Sequence, residues 1–320
     1  MTYNSGVMKL EFNKVIGTLV SVVMIIGLLE LGPNIGFANS SNALLTANVN
    51  VGNIIYISVT PTTNTFGNVY PGQSYSTNVM YTDADNGGNI GANIFVSGNA
   101  WQYSTYSFGV SNTLWDSASQ GTYNGFSLTN TLADTSIYIA QPTQSTPSQS
   151  NSIFFGVNIP GGTAVGLFTE NILFENKNTT LSVSSSTETV QLTANVQGAC
   201  YIALSPNTIA FGAIYASANV PTNVMVTDTD SAGNAAANVL LEGTAWTGLG
   251  SNSFGVSNTM WDATSQSTYT GTALSNTLAL TSISISATTP ASANVFFGLG
   301  VPGGTPAGVY TQTITIENSC

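Results

Sequence analysis

The residues of this sequence that could do chemistry are few, and most of them are carboxylates. Its 320 residues include no histidine, three lysine or arginine residues and fourteen aspartate or glutamate residues, for a formal net charge of -11 at pH 7. Histidine is the usual general base and zinc ligand near neutral pH, so Ser-His-Asp mechanisms and ordinary zinc sites are excluded. Nucleic-acid binding needs basic side chains to displace counterions from phosphates, and it is excluded as well.

Two acidic turns could in principle bind a hard cation. Asp83 and Asp85 open the stretch DADNGGN, and Asp228 and Asp230 open DTDSAGN. Calcium prefers several oxygen ligands from a tight loop, which makes these four carboxylates weak calcium candidates. Ile94 stands where an EF-hand would place its closing glutamate. A hairpin turn between two strands is therefore the better interpretation, and no metal is expected.

The Trp-Asp motif, at 115–116 and 261–262, is a second candidate site, and its ligand would be a carbohydrate. The tryptophans could stack on sugars while Asp116 and Asp262 accept hydrogen bonds. Their recurrence at matching places is also what core packing followed by an aspartate turn would give. Glycoside hydrolysis needs a second carboxyl group nearby, and the sequence indicates none, so we expect no enzyme, no catalytic residue and no cofactor. The four tryptophans are Trp101, Trp115, Trp246 and Trp261.

The chain contains a tandem duplication. The sequence SFGVSNT followed by Trp115-Asp116 recurs before Trp261-Asp262, and Phe66-Gly67 recurs 145 residues later. Because the copies keep apolar positions, turns and tryptophans, the duplicated unit is predicted to be structural. The predicted domains are a module at 39–178, a Ser/Thr-rich joint at 179–191 and a second module at 192–320.

Short apolar alternations predict the fold. Charged residues make up only 5% of the chain, and it is rich in the β-branched and aromatic residues that favour pleated sheet. Runs such as 77–82 and 310–316 alternate in hydrophobicity and are separated by Gly, Asn, Asp and Pro. This pattern predicts an all-β protein of two tandem immunoglobulin-like β-sandwich modules after an N-terminal signal segment.

The N-terminus predicts export. Lys9 and Lys14 precede an apolar run at 15–29, and small residues around Ala38 form a plausible cleavage site. Residues 1–38 are predicted to be a signal peptide, or else a retained anchor that would be the only membrane contact. An extracellular or cell-surface location follows. Asn39 and Asn178 each begin a glycosylation sequon.

Two cysteines and one short strand bear on assembly. Cys200 and Cys320 are predicted to pair within the chain, tying the first strand of the second module to its last, or to crosslink subunits. The sequence LTANV opens both modules, at 45–49 and at 192–196. The first opener could pair within its own sandwich or add to an open edge of another copy. Its alternate apolar residues are Leu45, Ala47, Val49 and Val51.

The motif PGGT, found at 160–163 and 302–305, predicts a turn before the closing strand of each module. Together with the Phe-Gly, Asp-x-Asp, Asn-x-Val and Trp-Asp motifs, it resembles secreted archaeal surface proteins built from tandem immunoglobulin-like modules. That resemblance implies a subunit of a surface layer, or of threads and bundling pili joined by donor strands. The leading hypothesis is a self-assembling homopolymer, filament or lattice. The alternative is an adhesin or carbohydrate-binding module whose partners are surface glycans.

Overall fold

The computed structural model describes residues 46–181 and 183–320. The predicted signal peptide at 1–38, Asn39 and Leu45 lie outside the described residues. Within the described ranges no helix is long and apolar enough to cross a membrane, and the helical segments are short 3-10 turns at Val110–Asn112, Leu249–Ser251 and Val256–Asn258.

The described chain is all-β, as the alternating pattern predicts. Strands of the first repeat, defined here as residues 52–196, are β1 Ser58–Thr60, β2 Thr63–Val69, β3 Ser74–Asp85, β4 Ala92–Gly98, β5 Trp101–Tyr103, β6 Tyr106–Phe108, β7 Thr113–Asp116, β8 Phe126–Ser127, β9 Ala133–Ile139, β10 Gln149–Asn158, β11 Gly166–Lys177 and β12 Ser186–Val196. One sheet has the order β1-β3-β10-β7-β8, and the other has the order β2-β12-β11-β4-β9 with β5 and β6 at its side.

The two sheets of the first repeat pack face to face around one core. Every second residue of β3, β10 and β11 points inward, because successive side chains of a strand alternate between its faces. Tyr81, Phe155 and Phe174 are fully buried there, and the rings of Tyr81 and Phe155 meet edge to face at 5.8 Å. This arrangement is a β-sandwich.

The second repeat, residues 197–320, has the corresponding strands. They are β13 Leu204–Ser205, β14 Asn219–Asp230, β15 Ala237–Gly243, β16 Trp246–Gly248, β17 Ser253–Phe254, β18 Thr259–Asp262, β19 Thr272–Ala273, β20 Ala279–Ile285, β21 Ala291–Gly300, β22 Tyr310–Thr311 and β23 Ile314–Ser319. The first sheet of this repeat, β13-β14-β21-β18-β19, repeats that of the first repeat. The opposing layer differs, because it consists of two three-stranded sheets, β20-β15-β23 and β17-β16-β22.

Strand β12 lies in the first repeat, although the sequence indicated that LTANV at 192–196 opens the second module. β12 pairs antiparallel with β11 from Gly166 opposite Val196 to Asn176 opposite Ser186, and parallel with β2 on its other side. Residues 186–191 of the predicted joint therefore belong to this strand. Cys200 follows it in a segment without regular structure, not in an opening strand.

Candidate assembly interface

The position between β11 and β2 is the feature that differs most between the two repeats. In the first repeat β12 fills it, and Leu192, Ala194 and Val196 are 0% exposed. Their alternation places all three on the core face of the strand. They join the same apolar core cluster as Trp101 and Phe168. Full burial of a leucine or valine side chain contributes about 1.5–3 kcal/mol, so this strand is a substantial part of the first core.

No described strand fills the equivalent position in the second repeat. The counterpart of β11, 142 residues further on, is split into β22 and β23. The inward-facing residues of β11 are all buried, whereas their counterparts are only half-buried. The missing neighbour explains both differences, since a strand without a partner loses half of its ladder and one side of its packing. The half-buried residues are Tyr310, Gln312, Ile314, Ile316 and Asn318.

The counterpart of β2, residues 208–214, forms no strand. In the first repeat β12 is the strand with which β2 forms its backbone ladder, so the backbone of β2 has no ladder without that strand. The local backbone shape is nevertheless kept. Gly212 has φ +76°, close to the +73° of Gly67 at the equivalent position, in the left-handed region that glycine adopts most readily.

An apolar groove occupies this position in the second repeat, and we call it the acceptor groove. A cavity of about 660 Å³ forms its main part, and one of about 320 Å³ is lined by residues that include Ile314 and Ile316. Ile209 lines both cavities. In the first repeat, five counterparts of the main lining residues belong to, or pack against, the core cluster that contains Leu192, Ala194 and Val196 of β12. These counterparts are Phe66, Trp101, Val157, Ile159 and Phe168. The main lining residues are Ile209, Phe211, Trp246, Leu299, Val301 and Tyr310.

The first LTANV copy, at 45–49, is the same sequence as the strand that fills the first repeat. Its described residues, 46–49, have no regular secondary structure, and neither do Asn50 and Val51. Val49 is 88% exposed and Val51 is 69% exposed. Two apolar side chains that the alternation predicts to be buried are thus in solvent. We call residues 45–51 the donor segment.

A buried carboxyl group lies in β11, beside β12 in the same sheet. Glu170, opposite Leu192, is 0% exposed, and Thr113 donates a hydrogen bond to its Oε2 at 2.6 Å while accepting one from Trp101 Nε1 at 2.8 Å. Burial raises the pKa of Glu170 to about 8. The charged form is disfavoured, so this side chain is a neutral acid at moderate pH. Residue spacing did not predict this buried acid, although a lone glutamate on the apolar face of β11 is a visible signal in the sequence.

The second repeat builds the same network with an amide. Trp246 Nε1 donates to Thr259 Oγ1 at 2.9 Å, and Thr259 donates to Gln312 Oε1 at 2.8 Å. Gln312 stands where the first repeat has Glu170. The amide reproduces the shape and acceptor of a protonated carboxyl group without a titrating proton.

The acidic turns cross between sheets, so the hairpin interpretation is wrong. β3, which ends in Asp85, and β4, which follows the turn, lie in different sheets. Gly88 N donates to Asp85 Oδ1 at 2.7 Å, and Asn176 Nδ2 donates to Asp83 Oδ1 at 3.1 Å. Burial raises the pKa of Asp83 to about 7.

The second acidic turn is held in the same way. Gly233 N donates to Asp230 Oδ1 at 2.6 Å, and burial raises the pKa of Asp228. In the described ranges no three His, Cys, Asp or Glu side chains cluster as metal ligands would. Asp83, Asp85 and Asp230 accept hydrogen bonds from backbone or amide N–H groups. Among the described residues, neither carboxyl oxygen of the buried Asp228 has a hydrogen-bond partner.

The tryptophans lie in or beside the two cores. Trp101 is 0% exposed and stacks on Phe108 with ring centroids 5.4 Å apart, and Trp246 stacks on Phe254 at 5.6 Å. Trp115 is also buried, and Trp261 is half-buried. A sugar platform requires an open ring face, which the three buried rings do not present. The aspartate turn is present, since Ala118 N donates to Asp116 Oδ1 at 3.0 Å.

The cysteines form an internal bond. A disulfide joins Cys200 to Cys320 with their Cα atoms 6.1 Å apart, so it links the segment after β12 to the end of β23.

Asn178, the described sequon residue, uses its Nδ2 atom to donate a hydrogen bond to Gly91 O at 2.8 Å. Its Oδ1 accepts one from Thr180 N at 2.9 Å.

No protein-family model and no curated protein matches this chain. Similar solved structures include the complex of a chaperone and a tip adhesion subunit from Csu pili of Acinetobacter baumannii, at 12% identity over 83% of this chain and 100% of that chain, with a TM-score of 0.41. A chaperone–tip adhesin complex of CFA/I fimbriae is 10% identical over 80% and 94%, with a TM-score of 0.30.

A family 123 glycoside hydrolase from Clostridium perfringens is also similar, at 10% identity and a TM-score of 0.30. This match covers 44% of the chain and spans about a quarter, 27%, of the hydrolase. Pilus and surface adhesin domains with β-sandwich folds are thus among the structures that this chain is similar to. By its own strands and packing, the protein is an all-β protein of the β-sandwich class.

Proposed function

We propose that this protein is a self-assembling structural subunit of an extracellular filament, in which copies join by strand addition. The observation that carries the proposal is the filled position in the first repeat. There, LTANV completes the sandwich, while the identical LTANV at 45–49 is exposed in its described residues and the acceptor groove is unfilled in the described chain. One donor and one acceptor per copy give a linear, head-to-tail polymer.

The first repeat supplies the register of the joint. β12 pairs Leu192 with Glu170, Ala194 with Phe168 and Val196 with Gly166. The equivalent joint between copies pairs Leu45 with Gln312, Ala47 with Tyr310 and Val49 with Gly308. On the other side the donor segment runs parallel to residues 209–214, as β12 runs parallel to β2.

The connection is long enough for this exchange. From Val196, the end of β12, to Leu204 in β13 the chain advances eight residues, and it crosses into the next repeat over that distance. From Val49 to Val59, the counterpart of Leu204, it advances ten residues. An extended residue spans about 3.3–3.6 Å, so the donor segment has more reach than β12 needs to bridge two repeats.

Strand addition also removes the irregularity of the second repeat. A donor strand gives the backbone of 209–214 a parallel partner and gives residues 308–312 an antiparallel one. It covers the half-buried side chains of Tyr310 and Gln312. The apolar area withdrawn from water stabilises the joint at about 25 cal/mol per Å². The proposed activity is thus assembly, and no catalysis is assigned.

Deletion of the donor segment tests the proposal. A chain lacking residues 45–51 should fold, carry the disulfide and remain monomeric by light scattering, because every strand of both sandwiches lies within residues 58–319. The unmodified chain should form filaments in negative-stain microscopy. Filaments of the deletion variant equal in number and length to those of the unmodified chain would contradict strand addition.

A peptide gives the matched control. The peptide of residues 43–51 should raise the melting temperature of the deletion variant, since it fills the acceptor groove. The same peptide with Ala47→Arg should not, because the equivalent Ala194 is 0% exposed and leaves no room for a long charged side chain. Equal stabilisation by both peptides would contradict the proposed register.

A further inference from the structure

We propose that the contact between the two repeats of one chain is reproduced between copies, with the loop 302–305 of one copy binding the turn 85–89 of the next. The inference rests on the proposed function, and it adds a second, polar interface beside the donor strand. Along such a filament every repeat would meet the next in the same way, whether or not the two belong to one chain.

The contact within the chain provides the pattern. The PGGT loop at 160–163 of the first repeat packs on the turn at 230–234 of the second. A tyrosine of the second repeat, Tyr201, also donates a hydrogen bond to the first repeat. The hydrogen bonds are Gly162 N to Ala232 O at 3.0 Å, Asn234 Nδ2 to Thr163 O at 2.7 Å and Tyr201 OH to Pro71 O at 2.8 Å.

The receiving turn is already formed on the first repeat. Asn234 Oδ1 accepts from Ala199 N at 2.8 Å, and Asn89 Oδ1 accepts from Ile54 N at 2.8 Å, with both pairs offset by 145 residues. Asn234 Nδ2 also donates to Gln197 O, and Asn89 Nδ2 likewise donates to Gly52 O. Asn89 is therefore held by the same two bonds as Asn234. Asn234, held in this way, reaches the loop of the other repeat.

The inserting loop is also formed on the second repeat. Thr305 Oγ1 donates to Pro302 O at 2.8 Å, as Thr163 Oγ1 donates to Pro160 O at 2.7 Å. Gly304 has φ +80°, and Gly162 has φ +74°. A Cβ atom at Gly304 would meet open space within 4 Å. Loop and turn thus have the same shape as their counterparts inside the chain.

A side-chain exchange across this interface supports the pairing. Within the chain, a Cβ atom at Gly72 would lie 2.9 Å from the Cβ of Ala232, which is too close, so one side must be glycine. At the equivalent positions the second repeat has Ser217, in the same left-handed region at φ +65°, and the first repeat has Gly87. In the pair Gly72 and Ala232 the turn residue carries the Cβ atom, whereas in the pair Ser217 and Gly87 the residue opposite the turn carries it. Each pair therefore contains one Cβ atom.

The third bond has its counterpart as well. Tyr56 lies 145 residues before Tyr201, and Ala216 lies 145 residues after Pro71. The ring of Tyr56 is 45% exposed, whereas Tyr201, which makes the bond inside the chain, is half-buried. In the filament, the Tyr56 hydroxyl of one copy donates to Ala216 O of the preceding copy.

Crosslinking tests the interface. A Cβ built at Gly161 would lie 3.4 Å from the Cβ of Ala232, close to the spacing of a disulfide. The equivalent pair between copies is Gly303 and Gly87. In filaments of the variant Gly87→Cys with Gly303→Cys, oxidation should give a ladder of multimers on non-reducing electrophoresis that collapses on reduction. Either substitution alone should give no species beyond a dimer.

The internal variant Gly161→Cys with Ala232→Cys is the positive control, because it should close its bond within one chain. Filaments of the Gly87→Cys, Gly303→Cys variant that give no ladder, with this control closed, would overturn the interface and leave strand addition standing. Absence of filaments from the unmodified chain would instead overturn the proposed function.

A rescue experiment tests the side-chain exchange without cysteines. Gly87→Ala should raise the critical concentration for assembly about tenfold, because its methyl group meets the Cβ of Ser217 of the neighbouring copy. The same methyl group lies 3.2 Å from the Tyr56 ring of its own chain, a contact that Ser217→Gly does not relieve. Adding Ser217→Gly should restore assembly, since the pair then matches Ala232 with Gly72. The monomer melting temperature serves as the control for folding. A double variant that assembles no better than Gly87→Ala alone would contradict the interface.

Discussion

The buried carboxyl groups give single residues an effect on stability. Glu170 and Asp83 keep their protons up to about pH 8 and pH 7 when folded, because burial raises the pKa of each. Unfolded carboxyl groups release theirs near about pH 4. The contribution of these two groups to the free energy of unfolding is therefore complete below about pH 4. It falls as the pH rises from there and is lost once the pH has passed about 7 for Asp83 and about 8 for Glu170. Neutral to alkaline conditions should weaken the first repeat.

Replacing Glu170 by glutamine tests this effect. Glu170→Gln should reduce the loss of stability between pH 5 and pH 9 by a few kcal/mol, on the order of the linked pKa shift. The site accepts an amide, since Gln312 makes the same bonds in the second repeat. Thermal melts at pH 5, 7 and 9 measure it, with the exposed Glu317→Gln as the control. An unchanged pH dependence in Glu170→Gln would rule out the assignment.

Residue-level features differ in how far the sequence could predict them. The LTANV identity, the aspartate turn at Asp116 and the burial of Trp101 follow from residue type and repetition. The Cys200–Cys320 bond remained one of two alternatives, because spacing alone does not tell an internal bond from a crosslink. The role of Glu170 was missed, since it depends on Thr113, a residue far away in sequence.

At the level of elements, two identical pentapeptides have different tasks. β12 completes the first repeat inside the chain, whereas we propose that the donor segment completes a sandwich in another copy. Alternation shows which face of such a strand is buried, but it does not reveal the neighbouring strand. For that reason the sequence assigned 192–196 to the wrong sandwich, and it also took the sheet-crossing turn at 85–89 for a hairpin.

Matched leucine substitutions separate the two tasks. Leu192→Ala should lower the free energy of unfolding of the monomer by about 2–5 kcal/mol, because it opens a cavity in the first core. Leu45→Ala should leave monomer stability unchanged and weaken assembly instead. Denaturant unfolding and sedimentation of the two variants measure this contrast. Equal destabilisation of the monomer by both would show that Leu45 packs within its own chain.

For the whole molecule, the duplication gives two repeats that differ in one strand position. The first repeat is filled by its own chain, and in the proposed filament the donor segment of another copy fills the acceptor groove. The loops and turns at the two ends of the pair match those at its centre. A polymer built this way has the same strand joint and the same loop contact at every repeat.

The measurement that tests this account most directly is a cryo-electron microscopy reconstruction of the filament. It should place residues 45–49 of one copy as a strand between 308–312 and 209–214 of the preceding copy, with Leu45 opposite Gln312. Density in the acceptor groove that traces to the same copy, or a groove without a strand in the assembled filament, would contradict it.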